Sequence, residues 1–189
     1  MPKVSKEQVL QDERKVINFL RTHAKDSIDT IAKRCKFSPQ KVSRIITKLE
    51  REKRIWGYSA VVEDEYFELR HYYFIFKRTR ALLPQKVVDE VLFTRLDDLV
   101  PGSLIYIENI EYVNGPCDAV VSFWARDVTA AKRFVEQMNL HFHPYITDCN
   151  LLESVYSIRR QGQRNPNIHR NLNLPFTDDA VKIKGSSKD

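Results

Sequence analysis

Apolar side chains recur at helical spacing near the start of the chain. Across residues 10–22, Leu10, Val16, Ile17 and Leu20 share one stripe, while Asp12, Arg14, Lys15, Asn18 and Arg21 fall elsewhere. This pattern predicts a first amphipathic helix. Ser27 then offers a capping hydroxyl ahead of Ile28, Ile31, Ala32 and Cys35, whose spacing predicts a second helix of barely two turns. Only Lys36 and Phe37 separate it from Ser38-Pro39, a cap followed by proline at the first helical position, where a missing N–H costs nothing. A third helix is expected from there to about Lys53, burying Val42, Ile45, Ile46 and Leu49. Residues 54–62 turn to alternation around Gly57, with Ile55, Tyr58, Ala60 and Val62 as the periodic positions, and read as strand.

Beyond a polar connector over 63–70 the period changes. Residues 71–79 alternate as a strand, Pro84 opens a helix carrying Val87, Val88, Val91, Leu92 and Leu96, and 104–113 and 118–125 read as two strands around Asn114-Gly115-Pro116. A helix over 128–140 follows, with Ala131, Phe134, Val135 and Met138 inward, and a last strand spans 145–157. The order βαββαβ is that of a ferredoxin-like sandwich, an antiparallel sheet with two helices on one face. Apolar residues occupy both parities of its first strand, so a second copy of the chain is expected against the open face.

The expected fold class is therefore α+β: an N-terminal winged helix-turn-helix over 1–62, a connector over 63–70, a ferredoxin-like domain over 71–160, and a polar tail over 161–189. Leu172, Leu174, Pro175 and Phe176 are the tail's candidates for docking on a neighbouring subunit.

Charge sharpens the first domain. The net charge of +6 is unevenly spread: residues 1–60 hold 15 Lys and Arg against 7 Asp and Glu, a balance of +8, and the other 129 residues sum to −2. Basic side chains on a surface gain affinity for a polyanion by releasing phosphate counterions. A short helix followed by a capped, polar-basic one is the arrangement that places its second helix in the major groove. A plain three-helix bundle with a solvated basic side has the same hydrophobic pattern.

The run Asp12, Ile17, Leu20, Ser27, Ile31-Ala32, Phe37-Ser38, Val42, Ile45, Leu49-Glu50, Ile55 and Gly57-Tyr58 resembles the DNA-binding domain of the Lrp/AsnC (feast/famine) transcription regulators. Lys36 departs from it, since the family commonly has glycine in that turn. The hairpin Val113-Asn114-Gly115-Pro116-Cys117-Asp118, followed by an apolar strand, Asp127 and a helix through Phe134, resembles that family's ligand-sensing (RAM) domain. The resemblance implies a cytoplasmic regulator that binds double-stranded DNA as a dimer or larger homo-oligomer, up to an octamer. It also implies modulation by a small molecule such as an amino acid.

On this reading Ser38, Gln40, Lys41, Ser43, Arg44, Thr47, Lys48 and Arg51 form the DNA-contacting set. Gln40, Ser43 and Arg44 are placed for base edges, Gln suiting adenine and Arg guanine, whereas Lys41, Thr47, Lys48 and Arg51 suit phosphates. The effector site implied by the resemblance comprises Asn114, Gly115, Pro116, Cys117 and Asp118.

No phosphate-cradling glycine cluster occurs, and no Ser or Cys nucleophile has a histidine placed for it by sequence logic, so an enzyme is not the expectation. Siroheme decarboxylases use the same two-domain plan, however, and His141 and His143, with Cys149 or Asp148, are the residues that a tetrapyrrole or metal reading would use. A helix-turn-helix that serves only subunit assembly is a further alternative. The three cysteines, Cys35, Cys117 and Cys149, lie far apart with no C-x-x-C pair, which fits a reducing compartment and no metal or other cofactor. No apolar run approaches the ~18 residues of a membrane helix, and the first twenty residues lack the apolar block of a secretion signal.

Overall fold

A computed structural model describes residues 5–167 of the chain. These form two compact units, one of residues 5–61 together with 158–167, the other Val62–Ser157.

In the first unit α1 (Lys6–His23) starts earlier than the apolar stripe does, because Ser5 Oγ accepts from Gln8 N at 3.1 Å and caps it. Helix α2 (Ile28–Cys35) begins at Ser27, whose hydroxyl accepts from Thr30 N at 3.2 Å. It stops at Lys36, which sits in the left-handed region at φ 55°, ψ 45°. From there Phe37 N donates to Ala32 O at 2.9 Å, closing the helix end as a C-terminal glycine usually does. Helix α3 (Pro39–Arg51) follows Ser38, whose hydroxyl accepts from Lys41 N at 3.2 Å. Val16, Leu20, Ile31, Ala32, Cys35, Val42, Ile45 and Leu49 close into one buried core, flanked by Ile17, Phe37, Ile46 and Ile55.

The strand expected over 54–62 is not paired. Arg54 N and Ile55 N both turn back to Leu49 O, at 2.9 and 3.3 Å, and residues 56–63 carry no ladder among the described residues. The Gly57-Tyr58 step is instead held by its side chain, Tyr58 OH donating to Glu50 Oε1 at 2.9 Å. The paired strands of this unit come from the region read as domain end and tail: β5 (Arg159–Arg160) and β6 (Gln163–Arg164) form a short antiparallel hairpin.

The second unit is the βαββαβ sandwich: β1 (Arg70–Arg78), α4 (Gln85–Phe93), β2 (Ile105–Tyr112), β3 (Ala119–Ala125), α5 (Val128–His141) and β4 (Ile146–Glu153). The sheet order is β2-β3-β1-β4, with every neighbouring pair antiparallel. Alternation sends Tyr72, Phe74 and Phe76 of β1 and Val121 and Phe123 of β3 into one core with Ala131, Phe134 and Met138 of α5. A bulge at Glu108 shifts the parity of β2, so that Ile105 and Ile107 face the same side as Ile110 and Tyr112 beyond it. On the opposite face His71, Ser122 and Trp124 are buried and Tyr73, Ile75 and Val120 half-buried. There His71 Nε2 lies 3.0 Å from Glu108 Oε2, and Asn109 Nδ2 donates to Ser122 Oγ at 2.9 Å.

Three expectations for this unit shift. Helix α4 ends at Phe93, so Leu96 is buried from a separate 3-10 turn, Leu96–Leu99, and Leu92, within the helix, is exposed. The strand expected to reach 157 ends at Glu153. The connection between β2 and β3 runs over 113–118, one residue longer at each end than strands over 104–113 and 118–125 would leave, and Gly115 is not in the left-handed region. Pro116 has no N–H to offer a ladder, which keeps pairing from running to the tip.

Candidate nucleic-acid interface

The outward side of α3 is where the sequence places DNA contacts. Ser38, Gln40, Ser43, Arg44, Thr47 and Arg51 are exposed, and Lys41 and Lys48 half-buried. Ser38 has a structural task already, as the N-cap. Gln40, Ser43, Arg44, Thr47 and Arg51 carry no hydrogen bond or ion pair to another side chain among the described residues, which leaves a row of donors, two of them guanidinium groups, facing outward over about three turns of helix.

Lys41 and Lys48 differ from the others. Lys41 Nζ lies 2.6 Å from Asp12 Oδ2 and 4.1 Å from the centre of the Phe37 ring, and Lys48 Nζ lies 2.6 Å from Glu13 Oε1. The two carboxylates sit side by side on α1 and are buried, although the hydrophobic pattern placed Asp12 on the polar side of its helix. The hydrogen bond from Lys41 holds the Asp12 carboxyl below its ordinary range. These pairs tie α3 to α1 at two points seven residues apart, so both lysines fix the orientation of α3 more than they extend its free charge. Sequence spacing carried no signal for them, since the partners are 29 and 35 positions apart. Exposed Lys33, Arg34 and Lys36, at the end of α2 and in the turn, add positive charge that was legible in the overall balance but not assigned a role.

In the second unit the expected effector residues stand together in the 113–118 connection. Asn114, Gly115 and Pro116 are exposed, and Cys117 and Asp118 half-buried. Asp118 is a three-strand stitch: its carboxylate accepts from Arg78 N at 2.7 Å, its N–H donates to Phe76 O at 3.0 Å, and its carbonyl accepts from Val113 N at 3.0 Å. Flanking this loop, Tyr112 and Ala119 enter the wall of an apolar cleft of about 320 Å³ between α4 and the sheet, with Arg78, Val88, Val91 and Tyr145 among its other walls.

The residues of a metal or tetrapyrrole reading are largely engaged elsewhere. His141 Nε2 is 2.7 Å from Glu90 Oε1, Asp148 Oδ2 is 3.1 Å from Lys77 Nζ, and the Cys149 thiol donates to Asn139 Oδ1 at 2.8 Å while burial pushes its pKa up. Among the described residues no group of three His, Cys, Asp or Glu side chains could hold a metal ion, and no helix is long and apolar enough to cross a membrane.

A helix-turn-helix core and a ferredoxin-like sandwich in one chain make a fold shared with solved structures of transcriptional regulators. An AsnC family transcriptional regulator from Agrobacterium tumefaciens is similar over 84% of this chain and 97% of its own, with a TM-score of 0.60 at 18% identity. A transcriptional regulator from Neisseria meningitidis, in complex with L-Met, covers 89% of this chain and 99% of its own, at TM-score 0.59 and 17% identity. A feast or famine regulatory protein from M. tuberculosis, complexed with L-methionine, covers 82% and 98%, at TM-score 0.63 and 14% identity. No family model and no curated protein matches the sequence.

Proposed function

We propose that this chain is a sequence-specific, double-stranded DNA-binding transcription regulator of the Lrp/AsnC type, working as a dimer or larger homo-oligomer. The observation that carries the reading is the outward row Gln40, Ser43, Arg44, Thr47 and Arg51 on a helix capped by Ser38 and fixed to α1 by two ion pairs. A rigid, pre-aimed helix loses little ordering entropy when it enters a groove. Gln40, Ser43 and Arg44, nearest its start, take the base edges; Thr47 and Arg51 take phosphate, and Lys41 and Lys48 hold the helix in register. Two such helices in a symmetric dimer read half-sites about 34–36 Å apart, or a multiple of that.

The test is duplex affinity measured at several salt concentrations. Phosphate neutralisation makes log K fall linearly with log salt, with a slope near −0.9 for each phosphate engaged. Arg44→Glu with Arg51→Glu should abolish binding while leaving the circular-dichroism spectrum unchanged, because neither side chain holds the fold. Retained, salt-dependent binding by that folded variant removes α3 as the reading element. Reversing Lys41 or Lys48 is the poorer probe, since each substitution strands a buried carboxylate.

The loop over 114–118 and the adjoining cleft support an effector with an apolar side chain, in keeping with the L-Met carried by two of the similar structures. A change in duplex affinity on titration with L-methionine is the expected result; an unchanged affinity excludes that amino acid.

A further inference from the structure

The hairpin of β5 and β6 is built from residues that the DNA-reading unit does not need for its core. Arg159 pairs with Arg164 and Arg160 with Gln163. The connecting Gln161 and Gly162 both have positive φ, 45° and 82°, as a tight two-residue turn between twisted strands requires. Asn165 N donates to Ile158 O at 3.0 Å, extending the pairing by one rung. Two side-chain bonds fasten the hairpin to the helical unit: Gln163 Nε2 donates to Thr22 O at the end of α1, at 2.7 Å, and Ser59 Oγ donates to Gln161 Oε1 at 2.6 Å. The second anchor lies in the segment after α3, where a wing was expected and no ladder formed.

Alternation along the strands then sorts the arginines. Gln163 points at α1, so its cross-strand neighbour Arg160 shares that face, and Arg159 and Arg164 project from the other. Both are exposed, directly opposite one another, and without a carboxylate within ion-pairing distance among the described residues. Like charges at a directly paired position work against the hairpin. The arrangement becomes favourable when a row of closely spaced anionic groups lies across it.

We propose that this hairpin is a phosphate clamp, a wing supplied by the C-terminal part of the chain, with Arg159 and Arg164 gripping the sugar-phosphate backbone beside the site that α3 reads. The assignment rests on the DNA-binding reading above and adds a second contact surface to it. Guanidinium groups on a rigid ladder contact phosphate without reading base edges, so the clamp raises affinity and leaves sequence preference to α3.

The experiment compares the full chain with Arg159→Gln/Arg164→Gln and with Arg159→Lys/Arg164→Lys, each checked by thermal melting, for duplex affinity across a salt series and for base preference in a binding-site selection. The glutamine pair should weaken binding roughly tenfold near physiological salt and make the salt slope shallower by about 2, with the selected sequence unchanged. The lysine pair should keep most of the slope. Unchanged affinity and slope in the glutamine pair, while Arg44→Glu/Arg51→Glu abolishes binding, overturns the clamp and leaves the regulator reading standing. Equal loss in the glutamine and lysine pairs, with lowered melting, also overturns it, because the arginines would then be structural. Absence of salt-dependent duplex binding by the unsubstituted chain removes the underlying reading itself.

Discussion

Lys36 shows how one residue carries a conformational cost for the whole helix-turn-helix. Its φ of 55° closes α2 and aims the chain into the cap of α3. An L-residue with a Cβ is less comfortable there than glycine, by about 1 kcal/mol. Lys36→Gly should therefore raise unfolding free energy by about 0.5–1 kcal/mol in urea denaturation, less than the full difference because glycine also loosens the unfolded chain. Asp12 gives a residue-scale prediction of the opposite sign. The Lys41 bond depresses its folded pKa below the ordinary 3.8, so its contribution is full above that pH and is lost as pH falls through the depressed folded value. Asp12→Asn should flatten the stability profile in that acid window and destabilise the chain at neutral pH, read as melting temperature against pH. At Arg44 the expected loss on mutation to alanine is about 1–3 kcal/mol of specific affinity, with relaxed preference at one base position in the selected sequence.

At the scale of elements, α5 and α4 pack very differently against one sheet. Helix α5 buries Ala131, Phe134 and Met138, whereas α4 has no fully buried residue and stands over the cleft of about 320 Å³. Phe134, fully enclosed between Phe123 and the rest of the core, should cost about 3–5 kcal/mol on truncation to alanine in chemical denaturation. A truncation in α4 such as Val88→Ala should cost markedly less, because one side of that residue already lacks packed neighbours. The connection over 113–118 is governed by Asp118 more than by its glycine: the carboxylate bond to Arg78 N joins β3 to the end of β1, a contact across 40 positions of sequence.

For the molecule as a whole, charge and fold divide along the same line. The described residues of the unit that carries the helix-turn-helix, 5–61 with 158–167, have a net charge of +10, whereas the sandwich, Val62–Ser157, has a net charge of −6. The first unit is also completed from the far end of the chain, through Gln163 to Thr22 and Gln161 to Ser59. Ending the chain after Ser157 removes both bonds. Hydrogen exchange should then quicken in peptides over 5–61 and stay unchanged over the strands 70–78 and 119–125.

Local signals settled much of this protein in advance. Ser27, Ser38 and Pro39 mark helix starts by satisfying or lacking backbone donors within one turn, and the stripe of Val42, Ile45 and Leu49 identifies the buried face of α3 without any partner being known. Period-two alternation did the same for β1 and β3, so the order of elements and both hydrophobic cores followed from residues close together in sequence. Tertiary structure alone decided which charges are free. That Lys41 and Lys48 are held while Arg44 reaches outward depends on Asp12 and Glu13, side chains about thirty positions away that no periodicity links to the lysines. It likewise decided where paired strands accompany the helix-turn-helix: residues 56–63 find no ladder, and residues 159–164, polar enough to be taken for the edge of a tail, form one. Helix caps and alternation act over a single turn or rung, whereas ion pairs and strand pairing are made between segments that only folding brings within a few ångströms.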